Sequence, residues 1–355
     1  MCTRSPKPVT PSPWSKPVMW QERSWSVCLP DHDTDPGGHF VLSMRRRPHP
    51  DGRTTMTALP SSRLALNPIQ WMATDDGWLD PSKAPEPAEQ LALVKKAGFD
   101  GVMAAVPSGW SVSQYAGLVA DTGLDLAPGY FVCRSDGQDG KQDEVVEDAA
   151  RIARQHAELG LDVVGLGLSM GTAAARLAHP AQGTDPVSER LDAITELVSR
   201  IAAAMTTEGV RPALHPHVGT WVETDSEGRA VLEAVSADQL GFLPDTGHLA
   251  WAGVDVRALI SDYADRIPFV HVKDCRLTIG QQGREEDWDY KKIVRSGLWA
   301  EPGRGELPLV EILGALGNDF SGWLMVEVDK PDISDPYESA VASATWMRAT
   351  FGGHR

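Results

Sequence analysis

From residue 62 onward, short apolar runs alternate with longer segments whose apolar positions recur every three to four residues. The runs are RLALNPI, DGVMAAV, LDLAPGYFV, DVVGLGLS, RPALHPH, LGFLPD, PFVHVKD and GWLMVEV. They are rich in Val, Leu and Ile and bounded by turn residues, and they predict eight strands. Between them lie PAEQLALVKKAGF, DEVVEDAARIARQHAELG, SERLDAITELVSRIAAAMTTEG, VDVRALISDYADR and LPLVEILGALG. These predict amphipathic helices, several closing on Gly as a helix C-terminus prefers. Eight strands alternating with helices predict a (β/α)8 barrel, and the span from Leu64 to the C-terminus has the usual size for one. A doubly wound open sheet is the second choice, weakened by the lack of a Gly-rich phosphate loop after the first strand. No internal repeat is visible.

Residues 1–61 break the pattern. MCTRSPKPVTPSPWSKPVMWQERSW and SMRRRPHPDGRTT are rich in Pro, Ser and Arg and hold no period. They predict a disordered or loosely draped extension, with residues 62–355 as the catalytic domain. The extension has no apolar h-region, which argues against a secretory signal. Met56 sits just before the first strand. One hypothesis is that translation starts there, with residues 1–55 an over-reading or a dispensable arm.

Composition then narrows the function. The 355 residues, 42% of them hydrophobic, suffice for one large core or two modest ones. No stretch approaches the ~18 uninterrupted apolar residues of a membrane helix, so a soluble, cytoplasmic protein is expected, with no membrane partner. A net charge of -16 and a pI near 5.0 oppose a nucleic-acid surface, which needs a basic stripe. They fit an enzyme acting on a small molecule. Cys2, Cys28, Cys133 and Cys275 form no CxxC pair and read as reduced, structural thiols.

In a barrel, active sites lie at the C-terminal ends of the strands. Strand five ends in His215-Pro216-His217 and strand six at Asp245, with His248 one turn on. Strand seven carries His271, Lys273 and Asp274, and strand eight Glu327 and Asp329. Alternation along a strand puts His215 with His217, His271 with Lys273, and Glu327 with Asp329 on shared faces. A carboxylate at the end of an apolar run needs a partner, and a divalent cation at Asp245 supplies one. Mixed imidazole and carboxylate donors suit Mn²⁺, Co²⁺, Fe²⁺ or Zn²⁺ better than Ca²⁺. Such an ion, held with open positions, stabilises an enediolate formed beside a carbonyl. Taken singly, each residue has a plainer reading. Asp245 fits an N-cap, and Asp274 a cap or a partner for an imidazole. Asn67 and Gln70, with Trp71, Asp75 and Asp76 beyond, fit a pocket lining or a plain turn. Trp110 and Trp251 fit sugar stacking or packing. Arg304 in PGRGE fits a substrate contact or a turn. The Gly-x-Gly of VVGLGLSMG has the wrong spacing for a dinucleotide loop, and REEDWDYKK reads as solvated surface.

Together these motifs resemble a known family. HPHVGTWVET, LPDTGHLAWAG, FVHVKDCR, PGRGE and GWLMVEVD occur in the order seen in the xylose-isomerase-like TIM barrels, the sugar isomerase and epimerase group that also contains endonuclease IV. LNPIQWMATDDGW, HxHxGT, DTGH and HVKD look most like the inosose (2-keto-myo-inositol) dehydratases, over roughly residues 62–350. The resemblance implies one divalent ion, Mn²⁺ or Co²⁺ first, with Zn²⁺, Fe²⁺ or Mg²⁺ as alternatives. It implies Asp245, His271 and Glu327 as ligands. The family's fourth ligand is usually a strand-five glutamate, and His215 occupies that slot. His217 is then an acid/base or substrate contact, the two histidines being exchangeable in role. GVMAAV stands where many relatives carry a strand-two Glu, and GLGLSM where strand four often carries an acid or amide.

The implied reaction is loss of water from a keto-polyol or keto-sugar through a metal-bound enediolate. His217 or His248 serves as base and the other as acid, and Glu327 and Lys273 orient the oxygens. Asn67, Gln70, Trp251 and Arg304 contact the substrate. Reprotonation at carbon would make the same site a sugar isomerase or epimerase. A lyase cleaving 3-keto glycosides is a further alternative. An endonuclease IV-like enzyme and a non-catalytic sugar-binding protein fit less well. Related barrels often form dimers or tetramers, so a homo-oligomer is an expectation the resemblance carries.

Overall fold

The computed structural model describes residues 62–352. The extension expected over 1–61, with Cys2, Cys28 and Met56, lies outside them. The strands are β1 (Arg63–Asn67), β2 (Gly101–Met103), β3 (Asp125–Ala127), β4 (Gly129–Cys133), β5 (Val163–Leu168), β6 (Arg211–His215), β7 (Gly241–Phe242), β8 (Phe269–Val272), β9 (Asp274–Cys275), β10 (Trp299–Ala300) and β11 (Trp323–Glu327). Every predicted run contains strand, and helices fill the intervals. Among the described residues no helix is long and apolar enough to cross a membrane.

Two parallel sheets follow the chain in order, β3-β2-β1-β11-β8 and β4-β5-β6-β7. LDLAPGYFV was expected as one strand. Pro128 has no N–H for a ladder, so the run splits, ending the first sheet as β3 and opening the second as β4. On the other side, Asp245 bridges His271 in parallel, and His271 N–H donates to Pro244 O at 3.0 Å. These links bring the end of β7 beside β8, in the strand order that an α/β barrel follows. The antiparallel pair β9–β10 was not expected from the pattern.

Strand alternation sorts the side chains. Leu64, Leu66, Leu214, Val270, Val272, Leu324 and Val326 join the large cluster that the helices cover. Their neighbours Ala65, Ala213, Phe269 and Met325 form a separate, smaller cluster. Asn67, His215, His271 and Glu327 each lie two residues beyond one of those four. They therefore share its face and sit one layer closer to the strands' C-terminal ends. Parity along four strands is what gathers the polar groups.

The two glycines of VVGLGLS have a packing role. A Cβ on Gly165 would stand 2.6 Å from Cδ2 of Tyr130, and one on Gly167 would overlap the Tyr130 hydroxyl. Bare backbone on β5 thus makes room for a ring projecting from β4. Gly167→Ala should cost about 1–3 kcal/mol by overpacking and lower Tm by roughly 2–4 °C per kcal/mol. Adding Tyr130→Phe should recover part of the loss, because it removes the atom that collides. Thermal melts of the single and double variants test this, and strict additivity would place the strain elsewhere.

Candidate active site

Register sets the height of each group on the rim. Asn67 pairs with Glu327 across β1 and β11. Gly167 pairs with His215 across β5 and β6, and Asp245 bridges His271. Donor atoms of His215, Asp245 and His271 consequently lie within 4.8 Å of one another, as do those of His217, His248 and Asp329. Glu327 adjoins the first group, its Oε2 3.1 Å from His271 Nδ1. The Asn67 amide donates to that same oxygen.

Asp245 satisfies both of its sequence readings at once. Oδ1 accepts the N–H groups of Gly247 and His248 at 2.9 Å, capping the helix Thr246–Trp251. Oδ2 is buried without a hydrogen bond. His215 Nδ1 and His271 Nε2 are likewise buried and unbonded, while His271 Nδ1 faces Glu327 Oε2. Unsatisfied buried donors and acceptors are costly. One such donor from each of His215, Asp245 and His271, all within 4.8 Å of one another, fits the donor set of a divalent cation.

Charge points the same way. Lys273 is enclosed by Glu327 Oε1 at 2.7 Å, Asp329 Oδ1 at 2.8 Å and Asp245 Oδ2 at 3.2 Å, with His248 Nε2 at 3.0 Å. Three buried carboxylates thus face one ammonium. His215, His217 and His248 do not make up the difference. Burial, reinforced by His271 and His217, holds His215 well below the usual histidine range. Burial and then Lys273 bring His217 to about 3, and burial with His217 and Lys273 depresses His248. Burial alone would lower Lys273, but Asp245, Asp329 and Glu327 raise it well above its ordinary value. Burial would raise Glu327, yet His271 and Lys273 pull it well down. Burial pushes Asp329 up to about 6. A doubly charged cation would balance the cluster.

A cavity of about 320 Å³ opens onto this rim, at the small end of ligand sites. Asn67, His215, His217, Glu327 and Asp329 line it. His248 and Lys273 were expected to touch substrate, but they stand behind those residues and are fully buried. The His217 and His248 ring centroids are 3.6 Å apart, with the planes tilted by 36°. Three expected substrate contacts are not brought to the cavity. Gln70 is buried and donates to the Pro336 carbonyl at 3.4 Å. Trp251 packs between Tyr290 and Trp299. Arg304 is half exposed and pairs with Asp332 at 2.9 Å. Trp110 is also exposed and lies off the cavity.

Asp274 proves structural, though no imidazole is its partner. Its carboxylate accepts from Cys275, Gly303, Gly305 and Leu307, which moors the PGRGE loop beside the site. Tyr130, Trp78 and Tyr290 line the cavity without having been singled out. Tyr290 corrects the solvated reading of REEDWDYKK, since it is buried within a mostly exposed stretch and stacks on Trp78 at 5.8 Å. Its only sequence signal was an aromatic among charges. Cys133 and Cys275 are free and buried, as expected of structural thiols.

Residues 91–350 match the xylose isomerase-like TIM barrel family. The rhizopine catabolism protein MocC of Rhizobium meliloti is 31% identical over 81% of this chain and 86% of its own. An inosose dehydratase of Geobacillus thermodenitrificans is 28% identical over 58% of this chain and 72% of its own. The IOLI protein, solved with a zinc atom bound, superposes over 82% of this chain and all of its own, at 16% identity and a TM-score of 0.60. An L-ribulose 3-epimerase superposes over 81% and 94% of the two chains, at 18% identity and a TM-score of 0.58.

Proposed function

The chain belongs to the xylose isomerase-like TIM-barrel family, and on that premise we propose that it is a divalent-cation-dependent lyase acting on a keto-polyol, most like an inosose dehydratase. The observation that carries this reading is the convergence of unbonded buried atoms of His215, Asp245 and His271 beside a cluster of three carboxylates and one ammonium. His215, Asp245, His271 and Glu327 would hold the cation, Mn²⁺ or Co²⁺ by resemblance. When bound, it would polarise a substrate carbonyl and acidify the neighbouring C–H.

The remaining steps belong to the chain. His217 Nδ1 lies 2.7 Å from the Val218 carbonyl, which can only accept, so Nδ1 carries the proton and Nε2 is the free base. Burial keeps the ring neutral, which leaves Nε2 open to take the proton next to the carbonyl. The protonated ring then hands that proton to the departing hydroxyl, which leaves as water, while Asp329 stays ionised against Lys273. One ring acting as base and then as acid serves one face of the substrate, so elimination is syn. Lys273 touches no substrate and fixes Glu327 and Asp329 from behind.

Incubating 2-keto-myo-inositol with Mn²⁺-loaded protein in D₂O, with a chelator control, tests the reading by mass spectrometry. Cation-dependent loss of water supports a dehydratase. Deuterium uptake without water loss would move the assignment to an isomerase or epimerase on the same site. His217→Ala should lower turnover by ~10²–10⁴-fold, the usual weight of general base help. Near-unchanged turnover would remove His217 from the chemistry.

A further inference from the structure

We propose that the substrate is a keto-polyol ring carrying one apolar substituent, an O-alkyl or aryl group, that rests on the ends of β2, β4 and β5. This deepens the lyase reading above and rests on it. The strand pairings give the rim a fixed order, and polarity divides that order into two arcs. From β6 round to β1 the cavity meets His215, His217, Glu327, Asp329 and Asn67. From β2 to β5 it meets Met103, Val132 and Met170, with Ile69, Trp78 and Leu79 from the segment after β1. Leu79 is 47% exposed, one of few large apolar side chains left so open among the described residues.

A bare keto-polyol matches only one arc. It carries an oxygen on nearly every carbon. Any hydroxyl turned toward Met103, Val132 or Met170 gives up water and finds no partner there, which is a loss. Tyr130 offers a single phenol on that side, and its hydroxyl lies over the bare backbone of Gly167. A ring whose far edge bears a methyl or larger apolar group turns the same wall to advantage, because apolar surface leaves water there. The polar arc can still hold the ketone and the adjacent hydroxyl.

The test compares 2-keto-myo-inositol with each of its mono-O-methyl ethers, using Mn²⁺-loaded protein and reading kcat/KM for water loss or deuterium uptake. At least one ether should exceed the parent by ~10–200-fold, the range one added methyl group commands in an apolar pocket. Val132→Thr keeps the side chain's shape and adds a hydroxyl, and it should lower the ether-to-parent ratio by ~10-fold. Met103→Leu, which keeps the wall apolar, should preserve the ratio. The parent matching or exceeding every ether would overturn the proposal while leaving the lyase reading intact. Inertness of the parent and of all ethers, with and without cation, would overturn both.

Discussion

Asp245→Asn is expected to abolish cation binding and turnover while leaving the fold in place. The two carboxylate oxygens have separable duties. Oδ1 caps the helix Thr246–Trp251 through two N–H groups, and Asn caps as well as Asp. Oδ2 faces His271 and Lys273 with no hydrogen bond. The amide therefore keeps the cap and removes only the charge. Glu327 and Asp329 still pair with Lys273 once the Asp245 charge is gone, so the metal-free fold should hold. Losing an outer partner of a metal ligand costs ~10–100-fold in affinity, and loss of a ligand itself should exceed that. Melts with and without Mn²⁺ give the cleanest readout. A cation at 100 times its Kd stabilises the wild type by ~2.7 kcal/mol, and this Tm rise should vanish in the variant. Elemental analysis should find the variant metal-free. A retained Tm rise with retained turnover would remove Asp245 from the centre. Asp245→Ala is the poorer probe, because losing the cap costs a further ~1 kcal/mol.

Much of this site was legible because two periodicities do most of the placing. Once eight runs are read as parallel strands, parity alone puts Asn67, His215, His271 and Glu327 on one face, and order alone puts them on one rim. The contributions that were missed depend on contacts between distant segments. Nothing in GYFV or VVGLGLS says that two glycines leave space for Tyr130. That follows from β4 and β5 lying side by side. Tyr290 is hidden in an acidic stretch because its partner, Trp78, is more than two hundred residues away. Arg304 looked like a substrate contact because the loop PGRGE does lie beside the site. The loop's backbone is moored on Asp274, and the Arg304 side chain turns to Asp332. Gln70 and Trp251 were near candidates on sequence, but each is committed to packing before any ligand arrives.

Lys273→Met is the second large expected effect, and it separates two roles that one ammonium fulfils. Met matches the unbranched stem of Lys and removes the charge. In the metal-free protein Asp245, Glu327 and Asp329 then face one another without a counter-charge. Breaking a buried ion cluster by removing one partner typically costs ~3–5 kcal/mol. At roughly 2–4 °C per kcal/mol, Tm should fall by ~6–20 °C. A bound divalent cation restores positive charge to the same carboxylates, so added Mn²⁺ should narrow the gap between variant and wild type. The loss of turnover should be about 10–100-fold, the weight of a group that orients others. It should persist at saturating Mn²⁺, because Glu327 Oε1 and Asp329 lose hydrogen bonds at 2.7 and 2.8 Å that a cation held by His215, Asp245, His271 and Glu327 does not replace. An unchanged Tm in the metal-free variant would mean that the three carboxylates are not all ionised, and the charge argument for a divalent cation would fall with it. A lowered Tm that Mn²⁺ fails to raise would instead place the cation outside this cluster.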